Sequence, residues 1–340
     1  MAARVAAIQT NLDKYQCMFT WYKDLPYPFS SKWVIDSVED KLLTSDCEWQ
    51  SIVYHLVLFY EYHRIEKNPE ARDHLVECEN IISDSECFAT SPLVKRNIIA
   101  IKHVLYASWL HFISKTYSYD SYKDYLTEIV LYKNMNKKQK AGVVGIHSAC
   151  LMEYGSKGNR IASTTVLQGI KHDEHEGHWH YLRGEALRYE RLTSVEEVAP
   201  KEEEIKCFEL AHFYDEHTPS HYIGLASVLY DSVRKEKGPS QVRDKATQLY
   251  KSALENWPNS AYVNIMCTSG LLSYAYPVRD TRLADQCLGK ALRLSPKSSF
   301  VNLVAGIFFK WPNNNSTAAN RHFNLAKKRY ATLVDDITKG

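Results

Sequence analysis

Towards the C-terminal end of the chain, apolar positions recur at helical spacing, with small residues at fixed places among them. Ala246, Tyr250, Ala253 and Pro258 stand at offsets 0, 4, 7 and 12. After an interval of 38 residues, Ala284, Leu288, Ala291 and Pro296 occupy the same offsets, and Ala319, Phe323 and Ala326 repeat the first three. A small residue at offsets 0 and 7 lets a neighbouring helix approach, and the large residue at offset 4 fills the gap one turn along the same face. Proline then ends the unit, because it cannot continue a helix. The pattern weakens upstream but persists. Phe208 and Ala211 keep a spacing of three, while Ala162, Val166 and Gly169, and Ala71, Leu75 and Cys78, keep offsets 0, 4 and 7.

Such a unit is the second-helix half of a tetratricopeptide repeat. Gly184, Gly224 and Gly306 fall at the small position expected where the first helices cross their partners. The pattern predicts an all-α fold, a tetratricopeptide-repeat solenoid of antiparallel helix pairs. Residues 1–140 read as irregular helical hairpins, and residues 141–340 as regular repeats continuous with them. Connectors are expected at Thr193–Lys201, Lys235–Ser240 and Trp311–Ser316.

Composition supports helices throughout. The 340 residues contain only 13 Gly and 11 Pro, too few for many tight turns, but 23 Tyr, whose rings offer an apolar face with a polar tip. The 45% hydrophobic content and net charge of +2 exclude disorder and a generic nucleic-acid coat. No apolar run reaches the roughly 18 residues of a membrane span, and Val5–Ile8 is too short for a signal peptide. A soluble, cytoplasmic protein is expected. The eight cysteines stand singly with no CxxC, so free buried thiols are expected and no metal site or cofactor.

The near-zero total charge hides alternating blocks. Residues 94–171 carry 12 basic and 4 acidic side chains, net +8, and residues 279–340 carry 11 and 4, net +7. Residues 34–90 carry 4 and 13, net −9, and residues 172–217 carry 5 and 13, net −8. Basic blocks on one wall of a solenoid would suit an anionic partner.

Cys17 to Trp21 read C-x-F-T-W. This resembles the opening motif of the interferon-induced proteins with tetratricopeptide repeats, the IFIT family. Tyr54-His55-Leu56, Ala71, Leu75 and Glu79-Asn80-Ile81-Ile82 are similar to that family's first hairpin. Gly155 to Ala162 resembles its glycine-rich turn, and Gly184-Glu185-Ala186 with Arg191-Leu192 its G-x-A helix. The resemblance implies a non-enzymatic, antiviral innate-immune effector that holds the 5′ end of single-stranded RNA in a basic channel. It implies that Arg191 faces a phosphate, that Tyr222 and Tyr262 line the channel, and that Lys41 lies near a polar channel position on the first hairpin. The sequence departs from the family in three places. The family's cap-stacking tryptophan falls within Ile146 to Ala149, its basic and tyrosine cluster reads Val263 to Ser269, and its paired histidines read Asn302 and Leu303. The chain also ends where the family continues with further repeats.

From the residues themselves, Arg183, Arg188 and Arg191 lie on one predicted helix beside Tyr181 and Tyr189. Arginine forks suit phosphates, and tyrosines offer stacking faces for splayed bases; ion pairing with nearby glutamates would use the same arginines. Lys157, within Gly155–Arg160, reads as part of a turn between paired helices, since the phosphate-loop spacing is missing. His172 to His180 holds four histidines but no H-E-x-x-H, and reads as a solvated inter-repeat turn. No catalytic constellation is legible. Two functions remain open: RNA capture through Arg191, Arg188, Tyr222, Tyr262, Lys41 and Lys157, or a scaffold that binds protein partners, or itself, along its groove.

Overall fold

Helices begin where a side chain can accept the otherwise orphaned N–H groups of the first turn. Ser240 Oγ accepts from the Arg243 N–H at 3.4 Å, Asp280 from Leu283 at 2.9 Å, and Ser298 from Val301 at 3.2 Å. Asn136 and Gln139 cap each other reciprocally, at 3.0 and 2.9 Å. The computed structural model describes residues 12–22, 30–88, 91–116, 128–194, 199–233, 240–273 and 280–339. Among them the order is α1 (Met18–Trp21), α2 (Ser31–Leu42), α3 (Glu48–Arg64), α4 (Asn68–Phe88), α5 (Pro92–Arg96) and α6 (Ile98–Thr116). A 3-10 turn (Tyr132–Asn134) precedes α7 (Lys137–Met152), α8 (Gly155–His172), α9 (Gly177–Leu192), α10 (Glu202–Tyr214) and α11 (Pro219–Ser232). The chain continues through α12 (Gln241–Asn256), α13 (Ala261–Ser273), α14 (Thr281–Leu294), α15 (Ser299–Lys310) and α16 (Ser316–Lys339), which kinks at Tyr330. No described residue is in a strand, and no described helix is long and apolar enough to cross a membrane. The fold is an all-α tetratricopeptide-repeat solenoid; its helices end at Leu192, Ser232 and Lys310 and restart at Glu202, Gln241 and Ser316, while residues 195–198 and 235–239 of the first two expected connectors lie outside the described residues.

The chain divides into two compact units, Met1–Ile35 with Cys47–Val195, and Asp36–Asp46 with Glu196–Gly340. In the first unit α3 packs on α4, and α7 on α6, α8 and α3. The boundary expected near residue 140 falls inside this unit and does not coincide with the division between the two. The C-x-F-T-W motif is a packing module here. Cys17, Met18 and Trp21 are buried, and Phe19 stacks on His111 at 5.0 Å. The Cys17 N–H donates to Thr20 Oγ1 at 3.0 Å, and Trp21 lies flat on His147 at 4.4 Å. Burial pushes the Cys17 thiol up to about 12, so it is inert at neutral pH. Beneath the motif, Glu61 is fully buried, accepting from Tyr154 Oη at 2.8 Å and pairing with Arg64 at 2.8 Å. Gly145 is small for a visible reason: a Cβ there would sit 2.0 Å from the Trp179 ring.

In the second unit α10 to α16 pack as successive pairs. Ala246, Ala253, Ala284, Ala291 and Ala326 are all completely buried, with Tyr250, Leu288, Phe323 and Ala319 almost so. Gly306 takes the Phe323 ring, 2.4 Å from where a Cβ would be, and Gly270 takes Tyr250 in the same way. Ala253→Leu or Ala291→Leu should therefore overpack a crossing and cost about 1–3 kcal/mol; an unchanged melting midpoint for both would sink that packing assignment.

The repeats share a device that the offset pattern did not reveal. In four successive turns a buried side chain reaches back six residues and donates to a backbone carbonyl. His180 bonds Glu174 at 2.8 Å, His221 bonds Asp215 at 2.9 Å, Asn264 bonds Pro258 at 3.0 Å, and Asn302 bonds Pro296 at 2.9 Å. Each latch satisfies a carbonyl that the turn would otherwise leave unpaired. Burial lowers the His221 imidazole to about 4, opposed by its bond to Asp215. Folded His221 thus stays neutral while the unfolded chain takes up a proton near 6.5, so stability is full above that value and lost as pH falls towards 4. His221→Asn copies the latch of the next repeats and should remove on the order of 1–3 kcal/mol of this acid sensitivity. Thermal midpoints of both proteins between pH 7 and 4.5 check it; parallel curves would refute it.

Candidate nucleic-acid interface

Helix α9 passes from core to solvent along its length. Gly177 to Leu182 are all buried, including His178 and His180, and Ala186 continues the stripe. Besides buried Gly184, the remaining positions carry Arg183, Glu185, Leu187, Arg188, Tyr189, Glu190, Arg191 and an exposed Leu192. The expected solvated turn at residues 172–180 is thus only half right. Glu174 and His175 are exposed, but Glu176 is buried in a bidentate pair with Arg96 at 2.9 and 3.1 Å, and His178 stacks on Tyr181 at 5.5 Å. The reason is topological: a turn between repeats is covered by neighbouring helices on its inner side. Among the described residues no group of three or more His, Cys, Asp or Glu side chains is placed to hold a metal ion.

Arg183 is a structural residue, since its guanidinium donates to the Ser163 carbonyl at 2.6 Å. That bond sets the register of α8 against α9, which run antiparallel. Five residues on along α9 is Arg188, and five back along α8 is Gly158. Lys157, Arg160, Arg188 and Arg191 therefore gather at one end of this helix pair. Gly155, at φ 64°, closes the tight turn and opens α8, a left-handed conformation that glycine adopts without strain, so Lys157, expected in the turn, stands in the first turn of α8 instead. Lys157 and Arg160 are exposed, Arg191 is half-buried in the last turn of α9, and Tyr189 is 37% exposed between the two arginines. Arg188 lies 3.8 Å from Glu185, so the ion-pairing use of this arginine is realised in part. Cations at a helix C-terminus also complement its dipole.

The other three candidates belong to the second unit. Tyr222 lies near the start of α11, edge-to-face with His212 at 4.4 Å and Trp257 at 5.4 Å. Burial, with the Glu216 charge, raises its hydroxyl above the ordinary tyrosine value. Tyr262 is half-buried in the first turn of α13. Lys41 departs from its expected place. It stands in the last turn of α2, before the first hairpin, in a segment that packs with the C-terminal repeats. The neighbouring Asp40 explains this. Its carboxylate accepts from the N–H groups of Ser299 and Phe300 and from Ser298 Oγ, at the N-terminus of α15. Ser295 Oγ donates to the Leu43 carbonyl, and Asp46 takes a hydrogen bond from Ser260, the cap of α13. Residues 36–46 thus run across the starts of α15 and α13, the latter being the helix whose first turn holds Tyr262.

Other positions singled out by the resemblance are core. Ile146 and Ala149 are buried, and His147 is covered by Trp21. Val263, Ile265 and Cys267 are buried, and Asn302 is a turn latch that also bonds His322 at 2.8 Å. Asp40 was missed because a single acidic residue on an amphipathic helix carries no sign of a partner some 260 positions away. The latches were legible in principle: P-N-S-A-Y-V-N from Pro258 and P-K-S-S-F-V-N from Pro296 repeat at the same 38-residue interval.

No protein-family profile and no curated protein matches the chain. Solved structures do. A human IFIT1 dimer with m7Gppp-AAAA aligns over 96% of this chain and 70% of its own, with a TM-score of 0.67 at 16% identity. A human IFIT1 dimer with PPP-AAAA aligns over 96% and 69%, with a TM-score of 0.65 at 17% identity. A monomeric IFIT1 mutant with Gppp-AAAA aligns over 94% and 78%, with a TM-score of 0.51 at 15% identity. At these identities the likeness is one of fold: the chain has an IFIT-like helical solenoid.

Proposed function

We propose that this protein is an IFIT-type, non-enzymatic effector of cytoplasmic innate immunity that captures single-stranded RNA by its 5′ end. The observation that carries the reading is the placement of Lys157, Arg160, Arg188 and Arg191 at one end of the α8/α9 pair, the end at which Tyr189 is exposed. Lysine and arginine neutralise phosphates, arginine forks bind them in pairs, and a tyrosine face stacks on a base without reading its sequence. The likeness in fold to IFIT1 structures holding capped and triphosphate RNA supports the same class of ligand. Capture is physical; no bond in the RNA is broken.

The test is binding of 5′-triphosphate, capped and 5′-hydroxyl RNAs across a salt series. Arg191→Ala should weaken binding by about 1–3 kcal/mol and lower the salt slope by about one unit, with the fold retained. Equal affinity in both proteins would remove Arg191 from the site. A second reading, a scaffold for protein partners, is favoured by Arg183, Arg188 and Tyr222 being engaged within the chain. It takes precedence if the wild type binds none of the three RNAs.

A further inference from the structure

Helices α3 and α4 form the first hairpin, and each places a histidine on the seam between them. His55 and His74 are half-buried, with Nδ1 facing Nδ1 at 2.9 Å and ring centroids 5.1 Å apart. The Tyr62 ring stacks on His74 at 5.4 Å and holds that imidazole in place. We propose that His55 and His74 form a two-imidazole binding site for a divalent transition-metal ion of the zinc, nickel or copper class, which staples α3 to α4.

The geometry suits such an ion. Two nitrogens each about 2.0–2.1 Å from a tetrahedral centre lie about 3.3 Å apart, so the rings need to part by only a few tenths of an ångström. In the metal-free pair one Nδ1 must carry the proton that the other accepts. Moving that proton to Nε2 of its own ring, through solvent, turns two lone pairs toward one point. Burial supports this chemistry by lowering both imidazoles, His74 to about 4, so neither must lose a charge-bearing proton at neutral pH. Two carboxylates add negative potential: Glu77 acts on His55 and Asp73 on His74. Glu77 lies one turn beyond His74 on the same face of α4, where its side chain can swing to a third position. Water fills the remainder, since no third ligand converges among the described residues. Imidazole donors favour copper, nickel and zinc over magnesium and calcium.

The experiment is thermal unfolding of the intact protein against zinc chloride, with magnesium chloride as control, for the wild type, His55→Asn and His74→Asn. The wild type should show a saturable rise in midpoint with zinc and none with magnesium. Each variant should require at least tenfold more zinc for the same rise. A wild type without a saturable rise, or a rise unchanged in both variants, overturns the site. Should the variants fail to fold, substoichiometric copper(II) added to the wild type should broaden the imidazole resonances of His55 and His74 before those of any other histidine. Broadening that begins elsewhere also overturns it.

Discussion

Arg64→Met is expected to destabilise the protein by about 3–5 kcal/mol, the cost of leaving a buried charge without its partner. Glu61 has no exposed surface, and its carboxylate is held by Arg64 at 2.8 Å and by the Tyr154 hydroxyl at 2.8 Å. Methionine keeps the packing volume of the arginine stem but removes the charge, so only the tyrosine hydrogen bond would remain. It would also remove the guanidinium 4.7 Å above the Tyr22 ring, next to the C-x-F-T-W module. The double change Glu61→Gln with Arg64→Met should recover most of the loss, because no charge is then buried. Denaturant midpoints of both single variants and the double one give the coupling. If Arg64→Met costs under about 1 kcal/mol, the ion pair is no keystone of the first unit.

Asp40→Ala should cost about 2–4 kcal/mol, combining the loss of charge-assisted hydrogen bonds with unpaired donors at a helix start. The carboxylate caps α15 from a distant segment of chain, accepting from Ser299, Phe300 and Ser298. Its removal should release residues 36–46 together with Lys41. Asp40→Asn keeps an acceptor without the charge and should lose roughly half as much. Hydrogen exchange is the informative measurement. The α15 start and residues 36–46 should lose protection together in Asp40→Ala, and unchanged protection there would refute the clamp.

The Asp40 clamp turns on a partner some 260 positions away, and the Glu61–Arg64 pair, though only three residues apart, on a burial that distant helices impose; there the reading from sequence stopped. The alanines at 246, 253, 284 and 291 announced their helices and crossings, because small residues at fixed spacing are what close helix packing requires. The three connectors followed from where that spacing broke off. Gly306 was expected at a crossing and makes room for the Phe323 ring, as Gly145 and Gly270, which the spacing did not single out, do for Trp179 and Tyr250. Periodicity locates a face; it does not say which ring is inserted into it. The histidines between residues 172 and 180 looked like solvent-facing decoration, because polar letters in a turn read as exposed. His178 and His180 are instead buried, where ring stacking and a carbonyl bond satisfy them.

The candidate interface divides in the same way. Arg188 and Arg191 could be placed together from sequence, since positions three apart share a helix face. That Lys157 joins them depends on the register of α8 against α9, held by the Arg183–Ser163 bond. That residues 36–46, with Lys41 among them, lie across the starts of α13 and α15 depends on Asp40 reaching α15. The sequence by itself determined the helices, their pairing and the repeat that stacks them, because those follow from local periodicity and the small-residue spacing of adjacent segments. Only the tertiary structure decided which charges are buried and paired, which histidines latch turns, and which cations meet at one end of a helix pair. Those outcomes rest on contacts between residues far apart in the chain, and local pattern carries no record of the partner.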